Sequence, residues 1–146
     1  MRYEVKGRTR WGSIGDAIAL VEDHRRNGVD VVIDVYPYER ASTNLGVNLP
    51  RWAVAGTTDD IAARINDPAT RERIIGGMKA MLMDGGYPDY SFATVAQYLP
   101  NPEFNGMTLS DVNMALGRPS TVDSEIETML ENAVEFAVPF PMQMPR

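Results

Sequence analysis

The sequence predicts an α/β fold with more helix than strand. Two observations carry that reading. Apolar residues recur at helical spacing behind Ser, Thr or Asp in several separate stretches. One run, Val29-Asp30-Val31-Val32-Ile33-Asp34-Val35, is instead β-branched and nearly continuous, as a strand buried on both faces requires. The chain has 146 residues, the size of one ordinary domain, so 1–146 is expected to fold around a single core.

Ser13 followed by Asp16 has the spacing of a capping box and opens the first helix. Ile14, Ala17, Ile18 and Val21 then form an apolar stripe, the charged stretch from Glu22 to Arg26 faces water, and Asn27-Gly28 supplies a left-handed stop. The run over 29–35 follows as a strand, and Tyr36-Pro37-Tyr38 ends it because proline cannot donate to a ladder. Residues 39–57 carry little periodicity, with Leu45, Val47, Leu49 and Trp52 as apolar anchors. Thr57 with Asp60 starts a short helix, and Asp67-Pro68 reads as an N-cap with proline at the first helical position. Ile74, Met78, Met81 and Leu82 give that next helix its stripe. Gly85-Gly86 ends it, and Gly76-Gly77 in its middle weakens it by roughly 1 kcal/mol each relative to alanine. Residues 91–99 have strand-like content in Phe92, Thr94, Val95 and Tyr98. Thr108 with Asp111 opens a helix that stops at Gly117, and Ser120 with Asp123 opens another, with Ile126, Met129, Leu130 and Ala133 on one face. Val134, Phe136, Val138 and Phe140 alternate, which predicts a closing strand interrupted by Pro139 and Pro141.

Fourteen Lys and Arg against twenty Asp and Glu leave a formal net charge of −6, which disfavours nucleic acid or an anionic membrane as a partner. No apolar run approaches the ~18–20 residues of a membrane span, and Met1-Arg2-Tyr3-Glu4 does not begin a signal peptide, so a cytoplasmic location is expected. Cysteine is absent, which removes disulfides, thiolate metal sites and a cysteine nucleophile. The single histidine, His24, is too few for a self-contained catalytic zinc site, which usually draws two or three ligands from His or Cys. Ser13, Ser42 and Ser120 have no histidine placed to activate them.

One string is specific: Tyr36-Pro37-Tyr38, then Ala41-Ser42-Thr43, then Leu49-Pro50-Arg51-Trp52-Ala53, with Asp34 before it and Asp67-Pro68-Ala69-Thr70-Arg71 after it. It resembles the D-aminoacylase branch of the amidohydrolase superfamily, the N-acyl-D-amino-acid deacylases. Gly7 with Trp11-Gly12, Asn105-Gly106-Met107-Thr108-Leu109, Gly117-Arg118-Pro119 and Phe140-Pro141-Met142 are similar to the same family, less specifically. Arg40-Ala41 departs from the small residues usual between the tyrosines and the serine, and Thr57-Thr58 replaces a Gly-rich turn.

The resemblance implies the middle of such an enzyme: a fragment of a metal-dependent hydrolase (β/α)8 barrel with a mostly helical lid insertion, helix-rich with few strands. Residues 1–38 would be a helix plus a barrel-type strand, 39–90 the lid-like insertion, and 91–146 a strand-helix-helix-strand return. It implies no catalytic residue and no metal ligand in this chain, and zinc held by the rest of the parent enzyme. Tyr36 and Ser42 match positions that contact the substrate carboxylate, and Trp52 and Tyr38 are candidates for a lid or acyl pocket. The ordinary alternatives are a strand-end tyrosine with its hydroxyl in water and a tryptophan that anchors its loop to the core. Asp34 matches no metal ligand and is expected to hydrogen-bond.

The implied function is substrate capping in a metal-dependent amidohydrolase that cleaves N-acyl (D-)amino acids or related linear amides, with the chain inactive alone. Its partners would be the remainder of the barrel enzyme, or a second copy, and a small N-acyl amino acid. The alternative is a free-standing, non-catalytic interaction or oligomerisation module derived from such an enzyme.

Overall fold

A computed structural model describes residues 8–10, 12–33, 40–135 and 142–145. Among these residues the fold is helix-rich with few strands: five α-helices and three short strands. The helices are α1 (Ile14–Arg26), α2 (Thr58–Asn66), α3 (Pro68–Asp84), α4 (Leu109–Ala115) and α5 (Val122–Glu135). The strands are β1 (Arg40–Thr43), β2 (Thr94–Val95) and β3 (Met142–Pro145), in the order β1-β3-β2.

Local chemistry sets most helix starts. Thr57 and Thr108 each close a full capping box, with Asp60 and Asp111 returning a bond to the cap backbone N–H at 2.8 and 3.1 Å. Asp67 accepts from the Thr70 N–H at 2.9 Å, and Pro68 follows in the first turn of α3. The start of α5 lies one residue later than the Ser120 spacing predicts, because the Thr121 hydroxyl is the one that accepts from Ser124 N–H, at 3.3 Å. Ser13 stands before α1 without capping it, since its hydroxyl donates to the Arg10 carbonyl at 2.8 Å.

The core lies between α3 and α5. Ile74, Met78 and Leu82 of α3 meet Ile126, Met129 and Leu130 of α5. Ile65 of α2, Leu109 and Val112 of α4, and the loop residues Leu45, Leu49, Ala53 and Tyr90 close around them. Each large aliphatic side chain fully buried in this way stabilises the fold by about 1.5–3 kcal/mol. Residues of the expected insertion and of the expected return segment thus share one core. A buried polar network fixes how α4 and α5 meet. Asn113 donates to the Pro119 carbonyl at 2.7 Å and accepts from the Ser124 and Thr128 hydroxyls, both at 2.9 Å. Arg118 adds a bond to Thr128 at 3.1 Å and an ion pair with Glu131 at 2.5 Å. Glu125, also buried, accepts from the Tyr90 N–H at 3.0 Å. Burial, and then that carboxylate, pushes the Tyr90 hydroxyl's pKa above its usual value.

The strands depart from the sequence reading. The expected strand over 29–35 is not formed in its described part, 29–33. The Val31 carbonyl is engaged by Arg25 Nε and Nη2 at 3.0 and 2.8 Å, the Val29 N–H bonds back to His24, and Val32 is 71% exposed. β-branched content needs a neighbouring strand to become a sheet, and none of the described strands forms a ladder with 29–33. Over 91–99 only Thr94 and Val95 are strand. Asp89 caps a 3-10 turn at Tyr90–Phe92, and the Phe92 ring stacks on Tyr87 with centroids 4.0 Å apart. Of the expected closing alternation, Val134 belongs to α5, which runs through Glu135, while Phe136, Val138 and Phe140 lie outside the described residues; a strand follows at Met142–Pro145. Every ladder among the described residues is antiparallel, with Ser42 opposite Gln143 and Thr94 opposite the same Gln143.

α1 stands outside that core. Ala17 and Val21 are buried, whereas Ile14 and Ile18 of the same stripe remain 48% and 46% exposed. The 3-10 turn before it, Arg8–Arg10, is tied to the end of α3 by Arg8 N–H to Gly85 O at 2.9 Å and by Arg10 to Asp84 at 3.0 Å. No helix among the described residues is long and apolar enough to cross a membrane.

Candidate functional site

The candidate site is the loop over 45–56, which carries the Leu49-Pro50-Arg51-Trp52-Ala53 string. Three separate contacts hold it. Leu45, Leu49 and Ala53 are buried in the core, so alternate parts of the loop point inward. Pro50 rests on α3 at Gly77, where a β-carbon would come within 2.5 Å of the proline Cγ. Only glycine admits so close an approach without movement of the loop or the helix. Arg64 of α2 then reaches over to the carbonyls of Ala53 and Ala55 at 3.1 and 2.5 Å. A tight turn, Ala53 N–H to Pro50 O at 2.8 Å, closes the segment.

The base of this clamp is the capping box of α2. Bonds from the Thr57 backbone N–H and hydroxyl, and more weakly the charge of Arg64, hold the Asp60 carboxyl below the ordinary aspartate range. Gly56 beside it has φ +93, and an added β-carbon there would meet Asp60 Oδ2 at 2.6 Å. The carboxylate therefore caps the helix in a space that only glycine leaves open. Asp67 at the next helix start is likewise held low, by the Thr70 hydroxyl and then its N–H.

This pedestal presents Trp52, which keeps 40% of its surface exposed. The guanidinium carbon of Arg73 lies 4.8 Å from the centroid of its ring. Arg73 and Gly77 are one helical turn apart on α3, so one face of that helix receives both Pro50 and Trp52. An exposed cation–π contact of this kind is worth about 0.5–1 kcal/mol. The result is an indole beside a positively charged fork on a buried support.

Of the other site residues expected from sequence, Ser42 lies on β1 with its side chain exposed, and its hydroxyl makes no hydrogen bond among the described residues. It shares no hydrogen bond or ring contact with Trp52. Tyr36, Tyr38 and Asp34 lie outside the described residues. His24 is exposed near the end of α1, with Nδ1 2.9 Å from the Leu20 carbonyl. No group of three or more His, Cys, Asp or Glu among the described residues is placed to hold a metal ion. The described residues do not fit a zinc centre.

Arg73, Arg64 and Gly77 were not legible as site residues from the sequence. Gly76-Gly77 read as a weak point in a helix, although a glycine kept inside a helix is a usable signal of close packing. The two arginines carried no signal, since a basic residue on a helix is ordinarily solvated.

No family model, curated protein or solved structure matches this chain.

Proposed function

We propose that this chain is the substrate-capping portion of a metal-dependent amidohydrolase that cleaves N-acyl amino acids, of the D-aminoacylase type or acting on related linear amides. The observation that carries the proposal is the Trp52 loop. The string that resembles the family sits on a firmly built pedestal and turns an aromatic ring outward beside the Arg73 cation of α3, as a cap over an acyl group and a carboxylate requires. In this reading Tyr36 and Ser42 contact the substrate carboxylate, and Trp52 and Tyr38 wall the acyl pocket. Zinc and its ligands would belong to the remainder of the parent barrel, where the metal would supply an activated water for amide hydrolysis. Strand pairing over 29–35, which is not formed in its described part, would then depend on barrel neighbours. The setting is cytoplasmic, and the chain's partner is the rest of the enzyme.

Titration of the 15N-labelled chain with N-acetyl-D-leucine tests the proposal. Shifts concentrated at Ser42 and over 45–56 support it. No shift, or shifts scattered evenly over the surface, overturns it.

A second reading, a non-catalytic interaction or oligomerisation module, draws on a different observation: the half-exposed Ile14 and Ile18 on α1. Concentration-dependent association lost in Ile14→Ser/Ile18→Ser, with no ligand shifts, favours this reading over the first.

A further inference from the structure

Most basic side chains among the described residues are already matched to a partner. Arg71 pairs with Glu127, Lys79 with Asp123 and Arg118 with Glu131, while Arg64 is engaged by two carbonyls. Arg73 differs. It lies on the same helix as Arg71, yet it forms no ion pair and no hydrogen bond among the described residues, as is also true of the exposed Arg51; unlike Arg51 it contacts a ring, that of Trp52. The ring takes none of the five guanidinium N–H donors in a hydrogen bond, so they remain open to a ligand. That fork matches a carboxylate in bidentate geometry. Arg8, the other arginine over a ring among the described residues, lies 6.0 Å from Tyr87, at the outer limit of such contacts.

The surroundings favour a ligand over an idle surface pair. Leu49 and Ala53 are buried on either side of the string, Pro50 is seated at Gly77, and Arg64 clamps the following turn. The indole is thus positioned before any ligand arrives, and little ordering remains to be done on binding. The chain carries a net charge of −6. An arginine kept clear of its many carboxylates, beside an apolar ring, is suited to a small anion that also has an apolar group.

We infer that Trp52 and Arg73 form a binding site for a small amphiphilic carboxylate, Arg73 taking the carboxylate and the Trp52 ring the apolar part. The inference rests on the reading of this loop as a substrate cap and adds to it the residue that reads charge from α3.

The test uses Trp11→Phe, which leaves Trp52 as the sole tryptophan, and two probes, N-acetyl-D-leucine and its C-terminal amide. The acid should change Trp52 emission saturably, and the amide should bind about ten- to a hundredfold more weakly, the range of one charge-assisted bond. Arg73→Gln should abolish that preference, and Arg73→Lys should restore part of it. Arg73 is exposed, so circular dichroism should show the fold unchanged in both variants. An undiminished preference for the acid in Arg73→Gln overturns the role of Arg73 and leaves the cap reading standing, as do ligand shifts at Ser42 with no response at Trp52. No response to either probe anywhere in the chain overturns both.

Discussion

Replacing Gly77 with alanine probes the seat of the candidate site directly, and Gly76 beside it is a built-in control. At Gly76 an added β-carbon has no heavy atom within 4 Å. Gly76→Ala therefore adds helix propensity alone and should stabilise by up to about 1 kcal/mol. At Gly77 the same atom falls 2.5 Å from Pro50 Cγ, with Pro50 Cβ and Cδ at 3.5 and 3.7 Å. Carbon atoms ordinarily rest about 3.5–4.0 Å apart, so the overlap is roughly 1 Å. The proline ring is stiff, buried, and tied by the turn to Ala53, so relief requires movement of the loop itself. Overpacking of this kind costs about 1–3 kcal/mol, and the propensity gain of about 1 kcal/mol offsets part of it. The two neighbouring variants should thus differ by about 1–3 kcal/mol in opposite senses, or several degrees in Tm at roughly 2–4 °C per kcal/mol for a chain of this size. Urea unfolding by circular dichroism gives the stabilities. Trp52 emission in the Trp11→Phe background reports whether the loop has lifted. If Gly77→Ala stabilises as much as Gly76→Ala with emission unchanged, Pro50 is not seated on α3 and the pedestal does not exist.

Other outcomes follow from the same contacts. Asn113→Ala leaves the Pro119 carbonyl and the Ser124 and Thr128 hydroxyls without their buried partner and should destabilise by about 1–3 kcal/mol, measured in urea. Asp60 and Asp67 have carboxyls held below the ordinary aspartate range, so their contribution is full above that range and is lost as pH falls from it through the lowered folded-state values. Stability of the Asp60→Asn/Asp67→Asn variant should accordingly be lower than wild type at neutral pH, with the two curves converging in acid; parallel curves refute the assignment. The chain by itself should hydrolyse no N-acyl amino acid above background with zinc or cobalt added; metal-dependent turnover abolished by His24→Ala would show a centre of its own. In the amidohydrolase that the proposal implies, Tyr36→Phe should lower kcat/KM about ten- to a hundredfold for a substrate with a carboxylate, and much less for its amide.

Helix starts were the most legible feature of the chain. Thr57 with Asp60, Asp67 with Pro68 and Thr108 with Asp111 all form the caps their spacing implies. Each is a bond between groups three residues apart, so no distant part of the chain can alter it much. The stripes on α3 and α5 followed for a similar reason: helical geometry alone brings Ile74 and Met78, or Ile126, Met129 and Leu130, to one side. The failures lie where partners are remote. The run over 29–35 has strand composition, but Arg25 engages the Val31 carbonyl in its described part. At the other end of the chain, Val134, the first residue of the period-two pattern, is taken into the end of α5.

Sequence alone determined that this protein is helix-rich, where four of its helices begin or end, and that its one histidine and absent cysteines leave it without the donors of an ordinary zinc site. Tertiary structure decided the sheet, in which β1 near the start of the chain takes its register from β3 near the end. It also turned the glycine pair of α3 from a weakness into a seat for Pro50, and set Arg73 over Trp52. Caps and stripes are sums of short-range terms along the chain. Ladder register and the approach of a loop to a helix depend on which distant surfaces meet, and that is settled only when the whole core closes.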